Sequence, residues 1–181
     1  MNLGQVQGLL QPQNYRFLPS GIAVPPSLLM DPFPGPLKER APESGRLARD
    51  GSSEPKKDAQ TRSILLVDDS HFERTVIRSA VEGMTRFQIC GEAANGVDGI
   101  KMARELRPDL VIMDLAMPLM SGVEAAMVLR ANMPNIPIIL FTLYAEQLRG
   151  TISPGFGITM ILSKADGLAP LLKSLEELLG A

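Results

Sequence analysis

Five short apolar runs, separated by segments with helical spacing, constrain what residues 62–181 can fold into. The runs cover residues 64–67, 87–90, 110–113, 136–141 and 158–162, and most of them are continuous rather than alternating. Continuous apolar strands are typical of parallel sheets that are covered by helices on both faces. The alternation of strand and helix therefore predicts a doubly wound α/β domain.

The segments between the runs carry apolar residues three and four positions apart, which is the pattern of helices with one buried face. The residues interpreted as core positions are Phe72, Val76, Ile77, Ala80, Val81 and Met84, then Val97, Ile100, Ala103 and Leu106, then Val123, Ala126, Met127 and Leu129, and finally Leu168, Leu171, Leu172, Leu175, Leu178 and Leu179. Ser70 with Glu73, and Ser121 with Glu124, fit the capping box that marks a helix start. Pro170 is expected in the first turn of the last helix.

Residues 1–61 differ from the rest because they hold nine of the fifteen prolines. Proline opposes the interior of both helices and sheets, and the apolar residues here follow no sustained period. We therefore expect a disordered or weakly ordered N-terminal segment over residues 1–61 and a folded domain over residues 62–181. The alternatives are an arm docked on the domain and translation that starts further downstream.

Composition narrows the class of protein. The formal net charge of −2 gives no sign of nucleic-acid or membrane-surface binding. No apolar run is long enough to cross a membrane, and the N-terminus lacks the pattern of a secretory signal. The single cysteine, Cys90, is interpreted as a small buried hydrophobe, and the single His71 as a solvated residue of a first helical turn. We expect a cytoplasmic protein.

Polar side chains follow the predicted strands at the edge of the sheet where ligands bind, which is formed by the carboxyl ends of the strands. Asp68 and Asp69 follow the first strand and Asp114 the third. Thr142 follows the fourth strand, and Lys164 comes shortly after the fifth. Each residue alone has an ordinary explanation, such as a helix cap or a surface lysine. The occurrence of all five at strand ends indicates a site.

Three neighbouring carboxylates repel one another unless a cation binds them, and hard oxygen ligands without His or Cys suit Mg²⁺. Lys164 would add a second positive charge, and Thr142 would donate a hydrogen bond. A carboxylate between such groups can attack a phosphoryl group and form an aspartyl phosphate. The set therefore predicts phosphoryl transfer.

Two segments resemble the receiver domains of two-component response regulators. They are ILLVDDS at residues 64–70 and LVIMDLAMPLMSG at residues 110–122. The segment GEAANG at residues 91–96 resembles the members whose full-length chains carry a C-terminal helix-turn-helix. The resemblance covers roughly residues 62–181. It implies a flavodoxin-like sheet with strand order 2-1-3-4-5 and phosphorylation by a sensor histidine kinase or phosphotransfer protein.

The resemblance also implies a role for each site residue. Asp114 would accept the phosphoryl group, and Thr142 and Lys164 would contact its oxygens. The implied Mg²⁺ ligands are Asp69 and Asp114 directly, Asp68 directly or through water, and the backbone carbonyl of Ala116. We expect a stand-alone receiver with no output domain in the chain. It would bind an unknown downstream protein when phosphorylated, and would catalyse only its own phosphorylation and dephosphorylation.

The chain departs from the family pattern on the surface that receivers use for output. Leu143 replaces a small residue, Ile161 an aromatic one and Ala165 a frequent proline. Gly150 and Pro154 predict a helix of only about two turns between the fourth and fifth strands. The alternative function is thus a receiver-like interaction module that phosphorylation does not regulate.

A magnesium-dependent phosphatase with an aspartate nucleophile is a second alternative. Such enzymes usually need a further acid two residues after the nucleophile, and Ala116 occupies that position. The sequence therefore disfavours a phosphatase.

Overall fold

The computed structural model describes residues 16–17, 23–24, 61–148 and 156–180. Five parallel strands form the central sheet: β3 (Ser63–Val67), β4 (Gln88–Ala93), β5 (Leu110–Met113), β6 (Ile138–Thr142) and β7 (Met160–Ser163). They lie side by side in the order β4–β3–β5–β6–β7. Counted along the domain this is 2-1-3-4-5, which confirms the predicted topology.

The observed and predicted bounds of the strands differ most at β4, which continues three residues beyond its predicted end at Cys90. β4 is an edge strand, so its residues need not be apolar on both faces. Gly91 and Glu92 are only half-buried, and this is why an apolar run could not reveal them as strand residues.

Five helices connect and flank the strands: α1 (His71–Met84), α2 (Gly96–Leu106), α3 (Gly122–Asn132), α4 (Ala145–Leu148) and α5 (Ala169–Leu179). The capping box at Ser121 and Glu124 is formed as predicted, and Pro170 lies in the first turn of α5. Residues 149–155, which include Gly150 and Pro154, lie outside the described part of the chain.

Successive side chains of the strands point to opposite faces of the sheet, and both faces are buried. Leu65, Val67, Val111, Met113, Ile138 and Leu140 belong to the core on the side of α2, α3 and α4. Ile64, Leu66, Leu110, Ile112, Ile139 and Phe141 belong to the core on the side of α1 and α5. Burial on both faces explains why the strands appear in the sequence as unbroken apolar runs.

The prediction that every apolar position of α1 lies in the core is wrong. Ile77 and Val81 are buried, but Phe72, Val76 and Met84 are exposed. A helix of 14 residues is about 21 Å long, whereas the five-residue strand β3 spans about 16 Å. The ends of α1, which carry Phe72 and Met84, therefore extend past the sheet, whereas Val76 lies mid-helix beside the buried Ile77. Leu106, in the last turn of α2, is also exposed, although one of its methyl groups lies close to Gly91 of β4.

Two short strands are described before the domain. β1 (Arg16–Phe17) pairs antiparallel with β2 (Ala23–Val24), and the backbone of β2 lies beside α3. The sequence pattern did not predict this hairpin. The disorder expected for residues 1–61 otherwise falls outside the described residues. Within the part of the chain that is described, no helix has the length and apolar character needed to span a membrane.

Candidate functional site

The main-chain ladder of the sheet fixes the two buried acids of the site. The amide of Asp68 donates to the carbonyl of Ala93 at 3.0 Å, and the amide of Asp114 donates to the carbonyl of Val67 at 2.8 Å. Both residues are almost fully buried: 2% of the surface of Asp68 and 6% of the surface of Asp114 is exposed. The sheet thus holds the two carboxylates at its carboxyl edge with little freedom to move.

Lys164, which follows the edge strand β7, contacts both of these carboxylates. It begins the 3₁₀ turn Lys164–Asp166 directly after β7. Its Nζ atom lies 2.7 Å from Oδ2 of Asp68 and 3.4 Å from Oδ1 of Asp114, and it also contacts the carboxylate of Glu73. Thr142 is the fully buried last residue of β6, and its side chain contributes to lowering the pKa of the Asp114 carboxyl.

Asp69 and Ala116 stand apart from this group. Asp69 is exposed, and its carboxylate forms no hydrogen bond or ion pair with the rest of the described chain. Ala116 is half-buried, and its amide donates to Oδ2 of Asp114 at 3.2 Å. Four of the residues predicted from strand ends are therefore brought together, and Asp69 lies at their margin.

The electrostatics of the site couple the buried lysine to the buried acids. Burial is the largest influence on the pKa of Asp114 and raises it, and the carboxylate of Asp68 raises it further against the opposing charge of Lys164. For Lys164, burial alone would lower the pKa, but attraction to Asp114, Asp68 and Glu73 outweighs it and raises the pKa. Lys164 is therefore charged, while Asp114 ionises less readily than an exposed aspartate.

The donor set fits Mg²⁺ in chemical type but is not assembled as a finished cage. Among the described residues, no three His, Cys, Asp or Glu side chains are arranged to hold a metal ion. Oδ1 of Asp114, however, is a buried carboxylate oxygen with no hydrogen-bond partner. A hard cation would satisfy a buried acceptor of this kind, which has no hydrogen bond. The Mg²⁺ ligands implied by the resemblance stay predictions.

Sequence reasoning missed two residues of α1 that reach the site. Ser70 accepts from the amide of Glu73 at 3.3 Å, but the Glu73 carboxylate does not complete a capping box and instead contacts Lys164. Arg74 donates to the carbonyl of Asp68 at 2.6 Å and to the carboxylate of Glu92 at 3.0 Å. The S-x-x-E spacing indicated a capping role for Glu73 and so concealed its contact with Lys164. No sequence pattern indicates the contacts of Arg74.

Asp68 also has a local structural role that the sequence did not reveal. Its Oδ1 atom accepts from the amide of Ser70 at 2.8 Å, which shapes the turn into α1. One oxygen of this carboxylate therefore holds the turn while the other binds Lys164.

Glu92 binds Arg74, which in turn donates to the main-chain carbonyl of Asp68. Because this contact depends on the charge of Glu92, its contribution to stability depends on pH. Burial would raise the pKa of Glu92, but the guanidinium groups of Arg78 and Arg74 outweigh it and hold the pKa below its ordinary value of 4.5. A carboxyl with a lowered pKa stabilises the fold above its unfolded pKa, and this contribution is lost as pH falls through the folded pKa.

We expect Glu92→Gln to lower the free energy of unfolding by about 1 kcal/mol at neutral pH. The deficit relative to the parent should shrink as the pH falls below about 4.5. Urea unfolding of both proteins from pH 7 to pH 3 measures this difference. A deficit that stayed constant over that range would contradict a charge-based role for Glu92.

Comparison with known proteins relates the chain to one family. The response regulator receiver domain model matches residues 64–176. The response regulator protein VraR of Staphylococcus saprophyticus is 40% identical over 83 residues, which cover 46% of this chain and 40% of VraR. Response regulator GacA of Pseudomonas aeruginosa is 32% identical over 114 residues, which cover 63% of this chain and 53% of GacA.

Among solved structures, the response regulator TrrA of Thermotoga maritima, crystallised with Mg²⁺-BeF, superposes with a TM-score of 0.59 at 27% identity. The match covers 66% of this chain and all of TrrA. The matched part of the chain spans no more than about half the length of the curated relatives, from 23% to 53%. On the matched residues and the shared fold, this chain belongs to the response regulator receiver domain family.

Proposed function

We propose that the chain is a phosphoacceptor of a two-component phosphorelay, with Asp114 as the residue that accepts the phosphoryl group. The observation that carries the proposal is the buried oxygen Oδ1 of Asp114, which has no hydrogen-bond partner and lies 3.4 Å from the ammonium of Lys164 in an ion pair. Its buried neighbour Asp68 is 2.7 Å from the same ammonium and is therefore already engaged. Asp114 is the carboxylate with a buried oxygen that no hydrogen bond occupies.

In the proposed reaction, a carboxylate oxygen of Asp114 attacks the phosphorus atom of the donor. The bond between phosphorus and the imidazole nitrogen of a phosphohistidine breaks, and its electron pair stays on that nitrogen. Lys164 balances charge on the phosphoryl oxygens, and the hydroxyl of Thr142 donates a hydrogen bond to them. Mg²⁺, held by Asp68, Asp69, Asp114 and the Ala116 carbonyl, would supply further positive charge to those oxygens.

The rim of the site suits a protein donor such as a sensor histidine kinase or phosphotransfer protein. Three exposed apolar side chains follow the site residues closely in sequence: Phe72, Leu119 and Leu143, with 75%, 85% and 62% of their surface exposed. Contiguous exposed apolar surface with a polar rim is typical of protein-binding sites, and we propose that these three side chains contribute to such a surface. Leu143 thus adds bulk outside the site rather than within it. A cytoplasmic location and a downstream protein partner are part of the same proposal.

Incubation with acetyl phosphate and Mg²⁺ tests this function. Intact-mass spectrometry should find one added phosphoryl group on the chain, and none when a chelator removes the metal. A chain that gained no phosphoryl group under conditions that phosphorylate another receiver would favour the alternative of an interaction module without phosphorylation.

Removal of Asp69 should separate metal binding from folding. Mg²⁺ at ten times its dissociation constant should stabilise the parent by about 1.4 kcal/mol, because it binds only the folded state. Asp69→Ala should abolish this gain, and it should stabilise the metal-free protein by relieving repulsion with Asp68 and Asp114.

Melting curves with and without Mg²⁺ measure both effects. Glu105→Ala, which removes an exposed acid from α2, is the matched control and should keep the full response to Mg²⁺. An Asp69→Ala protein that responds to Mg²⁺ like the parent would exclude Asp69 as a ligand.

A further inference from the structure

Glu73 is a fourth acidic residue at the site. It lies in the first turn of α1, and its carboxylate contacts Nζ of Lys164. The amide of Glu73 is satisfied by Ser70, but its side chain takes no part in capping the helix. The side chain of Glu73 is therefore engaged with Lys164.

The ammonium group of Lys164 contacts three carboxylates but forms hydrogen bonds with only two of them. Its Nζ atom forms hydrogen bonds with Glu73 and Asp68, whereas Oδ1 of Asp114 lies 3.4 Å away without a hydrogen bond. An ammonium has three N–H donors and no acceptor, so each carboxylate that binds it takes up donor capacity. Glu73 and Asp68 take up two of the three donors, so a phosphoryl group on Asp114 could engage Lys164 through only the third unless one of these carboxylates is released.

The two carboxylates differ in how easily they can release the lysine. The side chain of Asp68 is 2% exposed and that of Glu73 is 36% exposed. A buried carboxylate that lost its partner would stay desolvated, which is costly, whereas a partly exposed one can be solvated by water instead. The contact with Glu73 is therefore the one that can be exchanged.

We propose that Glu73 is a positioning residue that holds Lys164 in the unphosphorylated site and competes with the phosphoryl group for its ammonium. This inference rests on the proposed function, because it concerns the state in which Asp114 carries a phosphoryl group. Glu73 would then slow phosphorylation and limit its extent. It would also return Lys164 to the resting position when the phosphoryl group leaves.

Glu73→Ala tests the competition, with Glu82→Ala as the matched control. Glu82 lies on the same helix and pairs with Arg78. Glu73→Ala should raise the rate of phosphorylation by acetyl phosphate and the affinity for Mg²⁺-beryllofluoride by about threefold to tenfold, which is the scale of a partly exposed ion pair. Glu73→Gln should shift both quantities in the same direction, and Glu82→Ala should leave both unchanged.

A measurement on the resting protein keeps the two proposals apart. The ¹⁵N order parameter of the Lys164 ammonium should fall in Glu73→Ala and stay unchanged in Glu82→Ala. If the parent takes up no phosphoryl group, the proposed function fails, and this order parameter still decides whether Glu73 holds Lys164. An unchanged order parameter, or a parent that is phosphorylated no more slowly than Glu73→Ala, would overturn the inference.

Discussion

Asp114→Asn is expected to abolish phosphorylation by acetyl phosphate in the presence of Mg²⁺, lowering the rate by at least roughly 100-fold. An amide is not a nucleophile towards phosphorus, and it contributes no negative charge to a bound cation. The variant should still fold, because asparagine has nearly the shape of aspartate and relieves the repulsion between the buried carboxylates of Asp114 and Asp68.

Asp166→Asn is the matched control for this substitution. Asp166 is an exposed aspartate two residues from Lys164, so the same chemical change is made close to the site. This variant should be phosphorylated like the parent. Phosphorylation of Asp114→Asn to the same extent as Asp166→Asn would show that another residue is the acceptor.

Gly122→Ala is expected to be the most destabilising small substitution near the site. A Cβ atom at this position would lie 2.1 Å from the carbonyl oxygen of Asp114 and 3.0 Å from a methyl group of Leu140. The backbone cannot easily retreat, since the amide of Gly122 donates to the carbonyl of Leu115 at 3.0 Å. We expect a loss of about 3 kcal/mol, together with impaired phosphorylation because Asp114 is displaced.

Gly83→Ala separates this steric effect from the general effect of replacing glycine in a helix. Gly83 lies in the exposed last part of α1, and an added Cβ would meet nothing within 4 Å. That substitution should stabilise the protein by about 0.5–1 kcal/mol, because alanine loses less backbone entropy. Urea unfolding measures both variants, and a Gly122→Ala protein as stable as the parent would contradict the close contact with Asp114.

The sheet could be predicted from the sequence because its central strands are buried on both faces. Strands such as Leu110–Met113 are covered on both faces, so every residue is apolar and the run is unmistakable. The carboxyl end of a parallel strand is a fixed place in the fold. The positions of Asp68, Asp114 and Lys164 could therefore be inferred from where the apolar runs end.

The contacts of α1 could not be predicted, because they depend on distances that the sequence does not contain. Periodicity cannot tell that the helix is longer than the strands beneath it, so Phe72 and Met84 looked like core residues. The same spacing that favours a capping box places Glu73 within reach of Lys164. Which partner the carboxylate takes depends on how α1 lies relative to β7.

Locating the phosphoryl group on the chain tests the assignment of Asp114 as the acceptor most directly. The protein would be phosphorylated with acetyl phosphate and Mg²⁺ and then treated with borohydride, which reduces an aspartyl phosphate to homoserine. Sequencing the peptides by mass spectrometry identifies the modified position. We predict homoserine at residue 114 and at no other aspartate. Homoserine at residue 68 or 69, with Asp114 unchanged, would contradict it.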